Sequence, residues 1–121
     1  MKQYTTPDQT AKLIELGFEK PSSIASVEPI YGMGGISVAK AYTIGELIEM
    51  LPMTITDKIW WGEDKGKEGV WGLRIDTNGT EYGWYISYER DHSAHLYLEG
   101  HCELIDALFD MIVRLKEEKV I

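Results

Sequence analysis

Cysteine is nearly absent from the 121 residues. Cys102 stands alone, which excludes an internal disulfide and any zinc site built from several thiolates, and fits a reducing compartment. No apolar run approaches the roughly 18 residues needed to cross a bilayer, and the opening MKQYTTPDQT lacks the apolar centre of a secretion signal. The expected location is the cytoplasm. Basic charge is scarce: 12 Lys and Arg against 20 Asp and Glu leave −8, a sign that opposes nucleic acid backbones and anionic lipid. Neither direct nucleic acid binding nor membrane association is expected. The acidic residues are spread along the chain, so solubility accounts for them better than imitation of a nucleic acid does. What remains is ordinary for a folded protein, 44% hydrophobic and 26% charged, and the length predicts a single domain over 1–121.

Three segments carry the marks of helices. Thr6-Pro7-Asp8-Gln9 combines a capping threonine, a proline at the first helical position and a glutamine that completes a capping box. Gly17 then supplies a left-handed stop, with Phe18 placed for the hydrophobic contact of a Schellman motif with Leu13. A second box, Thr43-Ile44-Gly45-Glu46, opens a stripe of Ile44, Leu47, Ile48 and Leu51, and Pro52 closes it. The third helix, over about 101–118, places Leu104, Ile105, Leu108, Ile112 and Leu115 on one face. Acidic residues precede basic ones along it, as the macrodipole favours.

Between the second and third helices the period changes from 3.6 to 2. Segments 70–75 and 82–88 alternate aromatic and branched residues with polar ones, and Asn78-Gly79 between them predicts a tight hairpin. Pairing Thr77 with Thr80 sets Ile75 opposite Tyr82, Leu73 opposite Trp84 and Trp71 opposite Ile86 on one face. The other face receives Arg74 opposite Gly83 and Gly72 opposite Tyr85, while Asp76 meets Glu81. Residues 94–99 continue the meander, with Leu96 and Leu98 inward and His95, Tyr97 and Glu99 outward. A strand over 55–61 precedes it, leaving open which of Trp60 and Trp61 faces the core. The stretch before Thr43 is too long for a structureless connection and predicts strands over 26–31 and 36–41, joined by Gly32-Met33-Gly34-Gly35. Pro29 confines the first of these to an edge.

Few residues form a catalytic pattern. The glycine segment 32–35 has neither the spacing nor the following helix of a phosphate loop, so no cofactor is expected. His92, His95, His101, Cys102 and Glu99 are metal-capable, but they fall on a turn, an outward strand position and a helix start, so no metal site is expected. Cys102 near a helix N-terminus is open to activation; a small buried cysteine is the simpler reading. There is no serine elbow and no clear carboxylate pair. The sheet face turned away from the helices is more informative: Arg74, Tyr85, Ser87, Glu89, His95, Tyr97 and Glu99 mix tyrosine with both signs of charge, as recognition surfaces do. Trp60 or Trp61 beside it is the expected aromatic anchor.

The segments TPDQTAKLIELGFEKP, AYTIGELIEMLP and ELIDALFDMIVRLKEE resemble small α+β proteins encoded in prophages and mobile elements of anaerobic gut bacteria. That resemblance covers the helices and implies an accessory role without an activity to transfer. The sequence thus predicts an α+β fold, an antiparallel meander of three to five strands with three helices on one face. The leading function is a non-enzymatic interaction protein whose partner is another protein or a second copy, met through Trp60, Trp61, Arg74, Tyr85, Glu89, His95 and Tyr97. The alternatives are a small metal- or thiol-dependent hydrolase around His95, His101 and Cys102, and an acidic nucleic acid mimic.

Overall fold

A computed structural model describes residues 2–21, 24–30, 35–77, 83–90 and 94–121. Among the described residues, three helices and six strands follow in the order α1 (Pro7–Glu15), β1 (Ile24–Ile30), β2 (Gly35–Lys40), α2 (Ile44–Met50), β3 (Thr54–Lys58), β4 (Glu68–Thr77), β5 (Trp84–Arg90), β6 (Ala94–His101) and α3 (Leu104–Glu117). Strands β3 to β6 form one antiparallel sheet in sequence order, while β1 and β2 pair as a separate two-stranded sheet. The fold is therefore α+β with a four-stranded meander, and the N-terminal hairpin does not extend it. Every strand of a two-stranded sheet is an edge, which is where Pro29, opposite Ile36, is tolerated. The glycine segment at 32–34 and the Asn78-Gly79 pair lie outside the described residues.

The helix ends follow local chemistry. Thr6 accepts from the Gln9 N–H at 3.1 Å, and the Gln9 side chain accepts from the Thr6 N–H at 2.9 Å. Gly17, at φ +101°, closes the Schellman motif: its N–H donates to Ile14 O, and the Phe18 N–H donates to Leu13 O. Thr43 and Glu46 form the second reciprocal box. The third helix starts later than the sequence suggests, because His101 ends β6 and Glu103 is the N-cap. The Lys2 backbone N donates to Glu103, while Lys2 Nζ and Gln9 Nε2 each lie 2.8 Å from Asp106 Oδ1. Partial burial pushes the Asp106 carboxyl up, but these donors outweigh it and hold the group below its ordinary value.

α3 ends in a second Schellman motif, with the Lys119 N–H on Lys116 O and the Val120 N–H on Leu115 O. Its left-handed position is held by a lysine at φ +60°. Lys119→Gly is therefore expected to stabilise the fold by about 0.5 to 1 kcal/mol, the left-handed strain less the extra entropy of an unfolded glycine. Chemical denaturation reads this as a higher midpoint at unchanged slope.

The core lies between the sheet and α2 with α3. Ile105, Leu108, Met111, Ile112 and Leu115 of α3 are fully buried with Leu13, Leu47, Trp71, Ile86 and Tyr88. The Tyr88 hydroxyl donates to Pro52 O at 2.7 Å, and burial pushes its pKa up. β3 ends at Lys58, so Trp60 and Trp61 stand in the connection to β4 rather than on a strand. The chain turns there through Gly62 and Gly66, both at positive φ.

Two register findings correct the sequence expectation. Thr77 pairs with Trp84 rather than Thr80, which sets Ile75 opposite Ile86, Leu73 opposite Tyr88, Arg74 opposite Ser87 and Asp76 opposite Tyr85. Gly83 takes φ +87°, outside the β region, so the strand begins only at Trp84. The shift is four residues, an even number. Every β4 and β5 side chain keeps its expected face, and Asp76 no longer opposes Glu81.

The second correction changes faces. β5 pairs with β6 through Glu89–His95 as expected, but a bulge between Ser87 and Glu89 sets Ser87 opposite Leu98, Ile86 opposite Glu99 and Tyr85 opposite Gly100. One extra residue on β6 inverts the alternation beyond it. Tyr97 and Glu99, expected outward, therefore turn toward α3, and Leu98, expected inward, is 48% exposed on the outer face. Arg114 of α3 holds them there, with its guanidinium 5.1 Å from the Tyr97 ring centre and Nη1 3.1 Å from Glu99 Oε1. Burial, and then a bond to Glu118, raises the Tyr97 pKa.

Candidate functional site: the outer face of the meander

The outer face is built by alternation. β4 contributes Arg74 and Asp76, β5 contributes Tyr85, Ser87 and Glu89, and β6 contributes His95 and Leu98. Together they line a concavity of about 250 Å³. Arg74 is its electrostatic hub: Nη1 lies 2.9 Å from Glu89 Oε2 and Nη2 lies 3.1 Å from Asp76 Oδ2. Bonds to Glu89, then to Asp76, raise the guanidinium pKa further, so its charge is permanent. His95 Nδ1 is 3.2 Å from Glu89 Oε1. Such exposed pairs contribute little stability; their role is to fix where the charges stand.

Glycine shapes the same face. A Cβ on Gly100 would meet the Tyr85 ring at 2.8 Å, so the ring lies across the backbone of β6. Gly72, expected opposite Tyr85, instead lies beside Thr54 and Glu89 with nothing within 4 Å of a Cβ position. Ser87 is only 4% exposed and lines the same concavity.

Of the seven expected contact residues, Arg74, Tyr85, Glu89 and His95 come together here. Tyr97 lies on the opposite side of the sheet under Arg114. Trp61 is packed against the core, its ring 5.4 Å from that of buried Trp71, and therefore belongs to the helix-covered side rather than the outer face. Trp60 stacks edge-on against Trp61 at 4.8 Å and is 57% exposed, away from the concavity. Sequence reasoning missed Leu98 as a member of the site. A signal was present in Gly100, because an isolated glycine inside a strand marks a bulge.

The residues proposed for hydrolytic chemistry do not converge. His95 faces outward, whereas His101 pairs through Nε2 with Asp110 of α3, and Cys102 is exposed between β6 and α3. His92 lies outside the described residues. Among the described residues no three His, Cys, Asp or Glu side chains are grouped to hold a metal ion, and no helix is long and apolar enough to cross a membrane.

A second cleft, about 320 Å³, lies between the end of α1 and α2 beside Phe18, Tyr42, Glu46 and Met50. Its central polar groups already serve the fold. The Tyr42 hydroxyl bonds Glu19 O, and Glu46 caps α2. No protein-family model, no curated protein and no solved structure matches the chain.

Proposed function

We propose that this is a non-enzymatic interaction protein that binds a protein partner through the outer face of the β3 to β6 meander. The observation that carries the reading is the concavity itself: Tyr85 and half-exposed Leu98 flank a fixed set of charges on Arg74, Asp76, Glu89 and His95. An aromatic and an aliphatic group beside oriented ion pairs suit a contact that is apolar at its centre and polar at its rim. An antiparallel sheet face left uncovered by helices is a natural place for it. Catalysis has less support, since His95 and His101 sit on opposite faces. Nucleic acid mimicry has less too, since Glu89, Asp76 and Glu99 are tied to arginines rather than arrayed as a free anionic row. An accessory role in a mobile element, which the helical segments imply, belongs to the same proposal.

The test compares three forms of the chain. A Tyr85→Ala, Leu98→Gln double variant is expected to lose the partner that the wild type captures from the native cytoplasm. Its thermal midpoint should move by no more than about 4 °C, the equivalent of about 1 kcal/mol. Tyr97→Ala, on the other face, is expected to lower the midpoint and still capture the partner. Light scattering of the purified protein reads the case in which the partner is a second copy. Retention of the partner by the double variant would overturn the assignment of this face.

A further inference from the structure

The N-terminal hairpin is an incomplete sheet. Among the described residues β1 and β2 pair only with each other, and no helix packs along them. Two strands alone are marginal in water, because stability needs a third strand or a covering helix. The two margins of the hairpin differ. β1 carries Pro29 and a bulge between Ser26 and Pro29, both of which hinder the addition of a further strand. β2 runs Gly35–Lys40 without a proline. Proline has no N–H to give, so Pro29 fits opposite Ile36 only where both residues turn their backbone polar groups away from the shared ladder. Alternation along β2 turns those of Val38 and Lys40 outward as well. Charge does not guard this margin. Between Lys20 and Lys40 the sole charged residue is Glu28, in a chain that carries −8, so two copies meet little of their mutual repulsion along this segment.

We propose that β2 pairs antiparallel with β2 of a second copy, about a twofold axis at Val38. Position 38 then faces its own symmetry mate and position 36 faces position 40 of the other copy, so each outward N–H meets an outward C=O. The match is self-complementary, as an isologous contact requires, and each copy supplies the strand that the other lacks. An unrelated strand would have no such built-in register. The two Lys40 residues fall at opposite ends of the new ladder rather than side by side. The joined sheet has the order β1-β2-β2-β1 with Pro29 on both outer strands, so assembly stops at two copies. This surface is separate from the outer face of the meander, and the proposal does not rest on that face.

The experiment is sedimentation velocity of the full chain over a range of concentrations. The wild type is expected to move from one to two chain masses as concentration rises, and the Tyr85→Ala, Leu98→Gln variant is expected to do the same. Val38→Lys and Val38→Glu each set like charges against one another at the axis, so each alone is expected to dimerise about tenfold more weakly. An equal mixture of the two sets opposite charges there and is expected to recover the wild-type association. Recovery on mixing also shows that both variants fold. A wild type that stays at one chain mass throughout would overturn the proposal, whether or not β2 takes a strand from an unrelated protein. So would a dimer indifferent to charge at position 38, or a mixture no tighter than its components. A dimer lost in the Tyr85→Ala, Leu98→Gln variant but kept in both Val38 variants would assign self-association to the outer face instead.

Discussion

Replacing Gly83 by alanine is expected to cost at least about 3 kcal/mol, combining left-handed strain with forced overpacking. The backbone there is at φ +87°, and an added Cβ would lie 2.3 Å from His101 O and 2.5 Å from the Cys102 Cα. Both obstacles are main chain, so no side chain can swing aside. Relief requires β5 to part from the end of β6, where Trp84 pairs with His101. Gly17→Ala is the internal reference: φ is +101° but nothing lies within 4 Å of its Cβ, so only the conformational cost of about 1 to 2 kcal/mol applies. Denaturant titration of both variants measures the difference. Equal losses would show that the contact at Gly83 relaxes freely.

Trp71 should show the second large effect. It is fully buried at the centre of the core and stacked against Trp61, and Trp71→Ala is expected to cost about 4 kcal/mol. That is a large fraction of a typical domain's stability. Its indole N–H is nevertheless buried with no hydrogen-bond partner among the described residues. Trp71→Phe removes that unsatisfied donor together with part of the ring. The lost volume is then partly offset, and a cost of only about 1 kcal/mol is expected. Unfolding curves followed by circular dichroism distinguish the two variants. A phenylalanine variant as unstable as the alanine one would mean that the indole nitrogen is stabilised where it sits.

The helices were legible because their signals are local. Thr6 with Gln9, Thr43 with Glu46, and Gly17 before Phe18 act within a few residues, and each does what its chemistry dictates. Sheet register depends on partners far along the chain, and there the outcome turned on parity. The β4–β5 pairing departs from expectation by four residues, yet Trp84 stays with the core and Tyr85 stays on the outer face, since an even slip preserves alternation. At β6 a single inserted residue was enough to exchange Tyr97 for Leu98. The run Leu96-Tyr97-Leu98 is apolar throughout, so composition alone did not say which members face inward; Arg114, sixteen residues beyond Leu98, decides it. Trp60 and Trp61 were misplaced for a different reason. Aromatic residues favour strands in general, but Gly62 and Gly66 bend the chain after Ile59, and the second indole finds its neighbour in Trp71.

Arg114 has one more effect. By reaching the Leu98 carbonyl as well as Glu99, it posts a charged guanidinium along the free margin of the meander. An incoming strand would need that margin to zip on. The opposite margin, β3, is five residues long and includes Asp57 and Lys58. Short length and charge are the features by which natural sheets resist runaway growth into fibrils, so neither margin of the meander offers a ready template for a further strand.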